Sequence, residues 1–290
     1  MSTPRERRGR TLHAPRTVRP TAKEPAMPAN DTTLTGAPCW IDLMTSDVDG
    51  ARAFYAELFG WVPGERSEEF GGYFMFFSPD GRMIAGGMPK QAAEAPDVWT
   101  TYLLTPDAAR TTAAVTEHGG TVMVPPMPIA DLGTMAVVTD PTGAVVGMWQ
   151  QGTHRGFQVL AEPGAPGWFE LMTRDFRAAV PFYTKVFGWQ AKVVGDSDEF
   201  RYAVLVDGAG EQYAGVMDAA GFLPEGVPSH WGVYFAVEDT DDAVALAEKL
   251  GGFTAQAPVD TPYGRLAIAA DPTGAVFKLV GPNKEEQPKG

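Results

Sequence analysis

The sequence contains a single cysteine, Cys39, so an intramolecular disulfide and a cysteine-cluster zinc site are both excluded. No run approaches the roughly 18 apolar residues that a membrane-spanning helix requires. Basic side chains are scarce, with 23 Lys and Arg against 36 Asp and Glu and a formal net charge of -13. A surface so poor in cations argues against nucleic acid, whose phosphates are held by lysine and arginine. There is no glycine-rich phosphate loop after a strand, no Gly-x-Ser-x-Gly elbow and no Walker lysine. What is present is ordinary for a globular chain: 44% hydrophobic and 20% charged residues, which excludes wholesale disorder. A length of 290 residues suits two domains at roughly 100 to 200 residues each. An acidic, soluble protein of a reducing compartment, the cytoplasm, is expected.

The charge is uneven. Residues 1–36 carry seven basic side chains (Arg5, Arg7, Arg8, Arg10, Arg16, Arg19, Lys23) against three acidic ones (Glu6, Glu24, Asp31), a net +4 that leaves -17 for the rest. This leader is rich in proline and poor in apolar residues, so a disordered tail is expected. No apolar stretch follows Arg7 and Arg8, which argues against an export signal. Met27 is an alternative start that would remove most of the basic leader. A polar tail, 282–290, closes the chain.

Self-similarity is the dominant signal. Trp40 to Trp61, WIDLMTSDVDGARAFYAELFGW, recurs as Trp168 to Trp189, WFELMTRDFRAAVPFYTKVFGW, at a constant offset of 128. The segments starting at Trp99 and Thr139 recur at Trp231 and Ala270. Two equivalent domains follow, 37–150 and 167–281, joined by a linker, 151–166, whose Gly152, Pro163, Gly164 and Pro166 break regular structure. A fainter repeat divides each half, for Asp47 and Gly60 map onto Asp107 and Gly120, and Asp175 and Gly188 onto Asp239 and Gly252. Each aspartate suits a helix N-cap and each glycine a helix end. Ala51, Phe54, Tyr55 and Leu58 share one helical face. The two Asp-Pro-Thr-Gly tetrapeptides suit type I turns. Each quarter therefore reads as a strand, a helix and about three antiparallel strands.

Four βαβββ modules, the spacing of the FY and FGW pairs after a capping aspartate, and the DPTG turn together resemble the vicinal oxygen chelate superfamily, which includes glyoxalase I, bleomycin-resistance proteins and extradiol dioxygenases. The resemblance covers about 37–281 and is closest to a two-domain subgroup that includes a mycobacterial antigen and accessory proteins of anthracycline pathways. It implies an α+β fold of tandem duplicated modules with curved mixed sheets around cavities. It also implies where a metal would sit. The family's metalloenzymes place a histidine at the start of a module's first strand and a glutamate seven residues after the turn aspartate. Here those positions hold Trp40, Trp168, Thr100, Gly232, Gly147 and Lys278. Indole, hydroxyl, hydrogen and ammonium do not ligate a divalent ion, so no metal and no other cofactor is expected. Of the histidines, His13 falls in the leader, His118 before a helix-ending glycine pair and His154 in the linker; only His230 adjoins a strand that could line a cavity.

Strand residues alternate faces. If position 40 points inward, Asp42 and Met44 do too, and by repeat so do Trp168, Glu170 and Met172. The same parity nominates Tyr102, Tyr234 and Trp149, with Gly147, Leu104, Ala236, Lys278 and Val280 beside them. Such walls suit a flat aromatic ligand, and one carboxylate per cavity could pair with a cationic group or act as a general acid or base. The tryptophans at 61, 99, 189 and 231 read as core. Trp40 and Trp168 admit both core filling and ligand stacking, and Trp149 stands out because its repeat is Val280. Three functions stay open: a metal-free binder of an aromatic small molecule, serving antibiotic biosynthesis or self-protection; a cofactor-independent enzyme using Asp42 or Glu170 as proton shuttle; or a purely structural module. A monomer and a loose homodimer are both compatible.

Overall fold

The computed structural model describes residues 34–197 and 200–284. The expected disordered leader lies almost wholly outside the described residues, as does most of the polar tail. The first quarter runs β1 (Pro38–Thr45), α1 (Val48–Phe59), β2 (Val62–Pro63), β3 (Phe74–Phe77) and β4 (Met83–Pro89). The second runs β5 (Val98–Leu104), α2 (Ala108–Glu117), β6 (Thr121–Ile129), β7 (Gly133–Thr139) and β8 (Val145–Gln151). The pattern then repeats as β9 (Pro166–Thr173), α3 (Phe176–Phe187), β10 (Gln190–Asp196), β11 (Arg201–Val206) and β12 (Gln212–Asp218). It closes with β13 (His230–Ala236), α4 (Thr240–Lys249), β14 (Phe253–Thr261), β15 (Gly264–Ala270) and β16 (Val276–Gly281). Each half is one open mixed sheet, β2-β3-β4-β1-β5-β8-β7-β6 and β10-β11-β12-β9-β13-β16-β15-β14.

The aspartates cap the helices as their positions imply. Asp47, Asp107, Asp175 and Asp239 each accept from a backbone N–H of the first turn, satisfying donors that have no partner within the helix. Gly60 and Gly188 end α1 and α3 in the left-handed conformation that glycine adopts at least cost. In α2 and α4 the ends fall earlier, at His118 and Leu250. There the left-handed turn is taken by Gly119 and Gly251, one residue before the expected Gly120 and Gly252.

The repeated sequence motifs hold the halves together. Tyr55 of α1 donates to Asp271 Oδ2 of the second half at 3.1 Å, and Tyr183 of α3 donates to Asp140 Oδ2 of the first at 3.1 Å. The other oxygen of each aspartate orders its own DPTG turn through three donors, Thr142 and Ala144 on Asp140 and Thr273 and Ala275 on Asp271. Trp99 and Trp231 donate in turn to the two tyrosine hydroxyls, at 2.9 and 2.8 Å. Trp61 and Trp189 donate across to the carbonyls of Gly164 and Gly36. Aromatic packing continues the same contact, with Phe59 against Phe235 at 4.9 Å. All four tryptophans expected in the core are buried there. Tyr55→Phe leaves a buried indole N–H and a buried carboxylate oxygen short of a partner, so a loss of about 1–3 kcal/mol is expected. Tyr183→Phe should cost the same, and the double variant about the sum. Chemical denaturation followed at more than one wavelength checks both magnitude and cooperativity.

Candidate functional site

In the first half β1 carries Trp40, Asp42 and Met44 on one face. Trp40 lies opposite Tyr102 of β5, and Asp42 opposite Gly86 of β4. Trp40 Nε1 donates to Asp42 Oδ1 at 3.0 Å and to the Tyr73 hydroxyl at 3.1 Å. Tyr73 itself donates to Asp42 Oδ1 at 2.8 Å. Desolvation among these rings raises the Asp42 carboxyl to about 6, although its hydrogen bonds from Tyr73 and Trp40 oppose the shift. The phenols of Tyr73 and Tyr102 are raised, first by burial and then by the adjacent carboxylate. The cluster requires glycine on its neighbours. A Cβ at Gly86 would fall 1.9 Å from the Tyr73 hydroxyl, and one at Gly147 2.3 Å from the Tyr102 ring.

The second half repeats the arrangement with one decisive change. Trp168 Nε1 donates to the Tyr202 hydroxyl at 3.0 Å, and the Tyr234 hydroxyl donates to Glu170 Oε2 at 3.0 Å. Gly215, like Gly86, leaves room for its tyrosine, since a Cβ there would lie 1.8 Å from the Tyr202 hydroxyl. Where the first half has Gly147, the second has Lys278, opposite Tyr234 as Gly147 is opposite Tyr102. Its ammonium bonds Glu170 Oε2 at 2.7 Å and the Tyr234 hydroxyl at 3.2 Å, and lies 4.6 Å from the Tyr234 ring centre. Both charged side chains are buried, Lys278 at 4% and Glu170 at 6% exposure. The carboxylate of the second half is therefore neutralised within the chain, whereas that of the first is held by uncharged donors.

Of the residues expected from strand parity, Trp40, Asp42 and Tyr102 meet in one cluster and Trp168, Glu170 and Tyr234 in the other. Met44 and Met172 lie farther along β1 and β9, opposite Val98 and His230. Trp149 acts on the linker, donating from Nε1 to the His154 carbonyl at 3.0 Å. His154, which the sequence places in the linker, packs beside the first cluster. Its ring stands edge-on to Trp40 at 4.5 Å and 87° and to Trp149 at 5.5 Å. Burial lowers its pKa to about 4, so the ring is neutral at pH 7. His230 also lies near its cluster, with Nδ1 2.9 Å from the Pro228 carbonyl oxygen. Parity could not find Tyr73, which immediately precedes the third strand of its module, or Tyr202, which lies in the third strand of its own.

Thr100 and Gly232, the inner-module metal positions of the family's enzymes, lie directly opposite Asp42 and Glu170. The six positions thus surround the two clusters but offer no imidazole or carboxylate, and in the second half Lys278 places an ammonium there. This donor set does not fit a divalent ion. Among the described residues no three His, Cys, Asp or Glu side chains come together. The chemistry open to these clusters is that of their carboxyls, phenols, indoles and one ammonium. A separate cleft of about 240 Å³ opens between the end of α1, the β3–β4 turn and the linker, lined by Phe59, Ser78, Arg82, Ile84, Val159 and Glu162 among others. It contains none of the expected site residues.

Residues 39–148 and 165–279 match the model of the Glyoxalase/Bleomycin resistance protein/Dioxygenase superfamily. The chain is 37% identical over 270 residues to CFP32 of Mycobacterium tuberculosis, covering 90% of this chain and all of that protein. It is also 37% identical over 262 residues to the anthracycline biosynthesis protein DnrV of Streptomyces peucetius, covering 84% and 93% respectively. Among solved structures it is similar to the 2,3-dioxygenase LapB from Pseudomonas sp. KL28, with a TM-score of 0.60, 16% identity and coverage of 89% and 96%. The Mn(II)-bound glyoxalase from Novosphingobium aromaticivorans gives 0.58, with 15% identity and coverage of 88% and 86%. These two likenesses are of fold. Among the described residues no helix is long and apolar enough to cross a membrane.

Proposed function

The chain belongs to the Glyoxalase/Bleomycin resistance protein/Dioxygenase superfamily, and within it we propose a metal-free binder of a planar aromatic small molecule that carries a cationic amine. The setting is antibiotic biosynthesis or self-resistance of the anthracycline type, supported by the similarity to DnrV. One observation carries the reading: Asp42 is a carboxylate set among aromatic rings, with only indole and phenol donors as hydrogen-bond partners. An ammonium group supplies the charge that these donors do not, and flat rings find stacking surfaces in the surrounding aromatics. Asp42, Tyr73, Trp168 and Tyr234 are half-buried rather than enclosed in the core.

Titration with an anthracycline amino glycoside should quench tryptophan fluorescence saturably. The N-acetylated glycoside and the Asp42→Asn variant should each bind about ten- to a hundredfold more weakly, the value of a charge-assisted hydrogen bond. Equal affinity for the charged and acetylated forms would remove the proposed cation anchor. A second reading, a cofactor-independent enzyme, is favoured by the same group, since an acid raised to about 6 can hold and release a proton near neutral pH. Glu170 is the corresponding candidate in the second half. Turnover of a pathway intermediate that is lost in Asp42→Asn or Glu170→Gln would decide for it.

A further inference from the structure

The duplication matches Trp40 with Trp168, Asp42 with Glu170, Tyr73 with Tyr202 and Tyr102 with Tyr234. It fails at three positions around the same clusters. Gly147 becomes Lys278, Trp149 becomes Val280, and His154 lies in the linker, which has no second copy. The three departures have one consequence. In the second half Lys278 completes the cluster, meeting both the carboxylate and the phenol. In the first half the departures leave it incomplete. Asp42 has only neutral donors, and His154 Nε2 is shielded from solvent yet meets no hydrogen-bond partner among the described residues.

A buried polar atom without a partner is costly and rare in a native fold, and here it is attached to a ring held firmly in place. Trp149 fixes the carbonyl of His154, the Leu132 carbonyl accepts from its backbone N–H at 3.1 Å, and two indoles pack against the imidazole. A side chain so fixed does not turn its nitrogen toward water without giving up those contacts. The imidazole adjoins Trp40, whose Nε1 is bonded to Asp42, so the carboxylate and the unpartnered nitrogen belong to one site.

Building on the binding function proposed above, we infer that each chain takes up one ligand, in the first half only, and that this ligand presents an oxygen of its aromatic ring system to His154 Nε2. Either tautomer of the neutral ring can be served, by a phenolic hydroxyl donating to a bare nitrogen or by a quinone carbonyl accepting from an N–H. The ligand class is therefore an oxygenated polycyclic aromatic with an amine at a distance, its amine on Asp42 and its ring oxygen on His154. The second half, its charges paired internally, serves as the folded partner against which the first is built.

Isothermal titration with an anthracycline amino glycoside should give one equivalent bound per chain. His154→Phe keeps a ring against Trp40 and Trp149 but removes the nitrogen; it should bind the probe about tenfold more weakly while melting at the same temperature as the wild type or higher. Two equivalents per chain, unaltered binding by His154→Phe, or a lower melting temperature for that variant would each overturn the inference. Saturable binding with unaltered affinity in His154→Phe sinks this inference alone, whereas no binding of the probe removes the binding function and this inference with it.

Discussion

Lys278→Met should destabilise the protein by about 3–5 kcal/mol at pH 7, the range found when one member of a buried ion pair is removed. Glu170 would be left 6% exposed, with the phenol of Tyr234 as its remaining hydrogen-bond donor and no opposite charge to offset its desolvation. The pair itself is a different quantity. Taking an ammonium and a carboxylate out of water costs several kcal/mol each, and their attraction across 2.7 Å returns roughly that amount. Lys278→Met combined with Glu170→Gln should therefore recover most of the loss, because no unpaired charge remains and the amide still accepts from Tyr234. Denaturant midpoints for the two single variants and the double variant test the cycle. A double variant as unstable as Lys278→Met would show that the lysine stem, rather than its charge, supports the fold.

The sequence made the scaffold legible and the site only partly so, for reasons visible in particular residues. A constant offset of 128 survives because strand, capped helix and turn all depend on local chemistry, and local chemistry is written in consecutive residues. Parity along β1 and β9 brought Trp40, Asp42 and Tyr102 together, and likewise Trp168, Glu170 and Tyr234, because alternation is a property of any strand. Tyr73 and Tyr202 were hidden by an offset of 129 rather than 128, from a one-residue change in spacing between helix and third strand. A signal for them did exist. Gly86 and Gly215 sit within strands, where glycine weakens pairing unless something must approach closely, and it is the tyrosine hydroxyls that approach. Lys278 reads from the sequence only as a side chain that does not ligate a metal, because its burial against Glu170 depends on a partner 108 positions away. His154 could not be placed from the chain at all, since the linker folds back onto β1 through the bond from the Phe157 N–H to the Cys39 carbonyl. The crossed contacts of Tyr55 with Asp271 and Tyr183 with Asp140 show the same limit. The motifs that identify the family are repeated at the interface between halves, while the proposed binding site lies where the repeat is broken.

Asp42→Asn should make the protein more stable at pH 7, by about 3 kcal/mol, and leave it unchanged near pH 3.5. The Asp42 carboxyl rises from 3.8 to about 6 on folding, so between those values the native state holds more protons than the unfolded chain. Stability then falls as pH rises through that window, by about 1.4 kcal/mol for each pH unit of the shift. The whole penalty is present above pH 6 and absent below 3.8, where both states carry the neutral acid. Asparagine keeps an oxygen to accept from Trp40 and Tyr73 but has no charge to desolvate. Thermal or denaturant unfolding of both proteins at pH 3.5, 5 and 7 isolates the contribution, since every other titrating group is common to the pair. A constant difference across the three values, or a variant weaker at pH 7, would show that the carboxylate is not held at the expense of the fold. A bound amine reverses the sign: it stabilises the charged form, so an anthracycline amino glycoside should raise the melting temperature of the wild type at pH 7 and that of Asp42→Asn far less. A residue that weakens the free protein and strengthens the complex is retained for its ligand, and the crossing of the two stability profiles is the measurement that separates this from a merely buried acid.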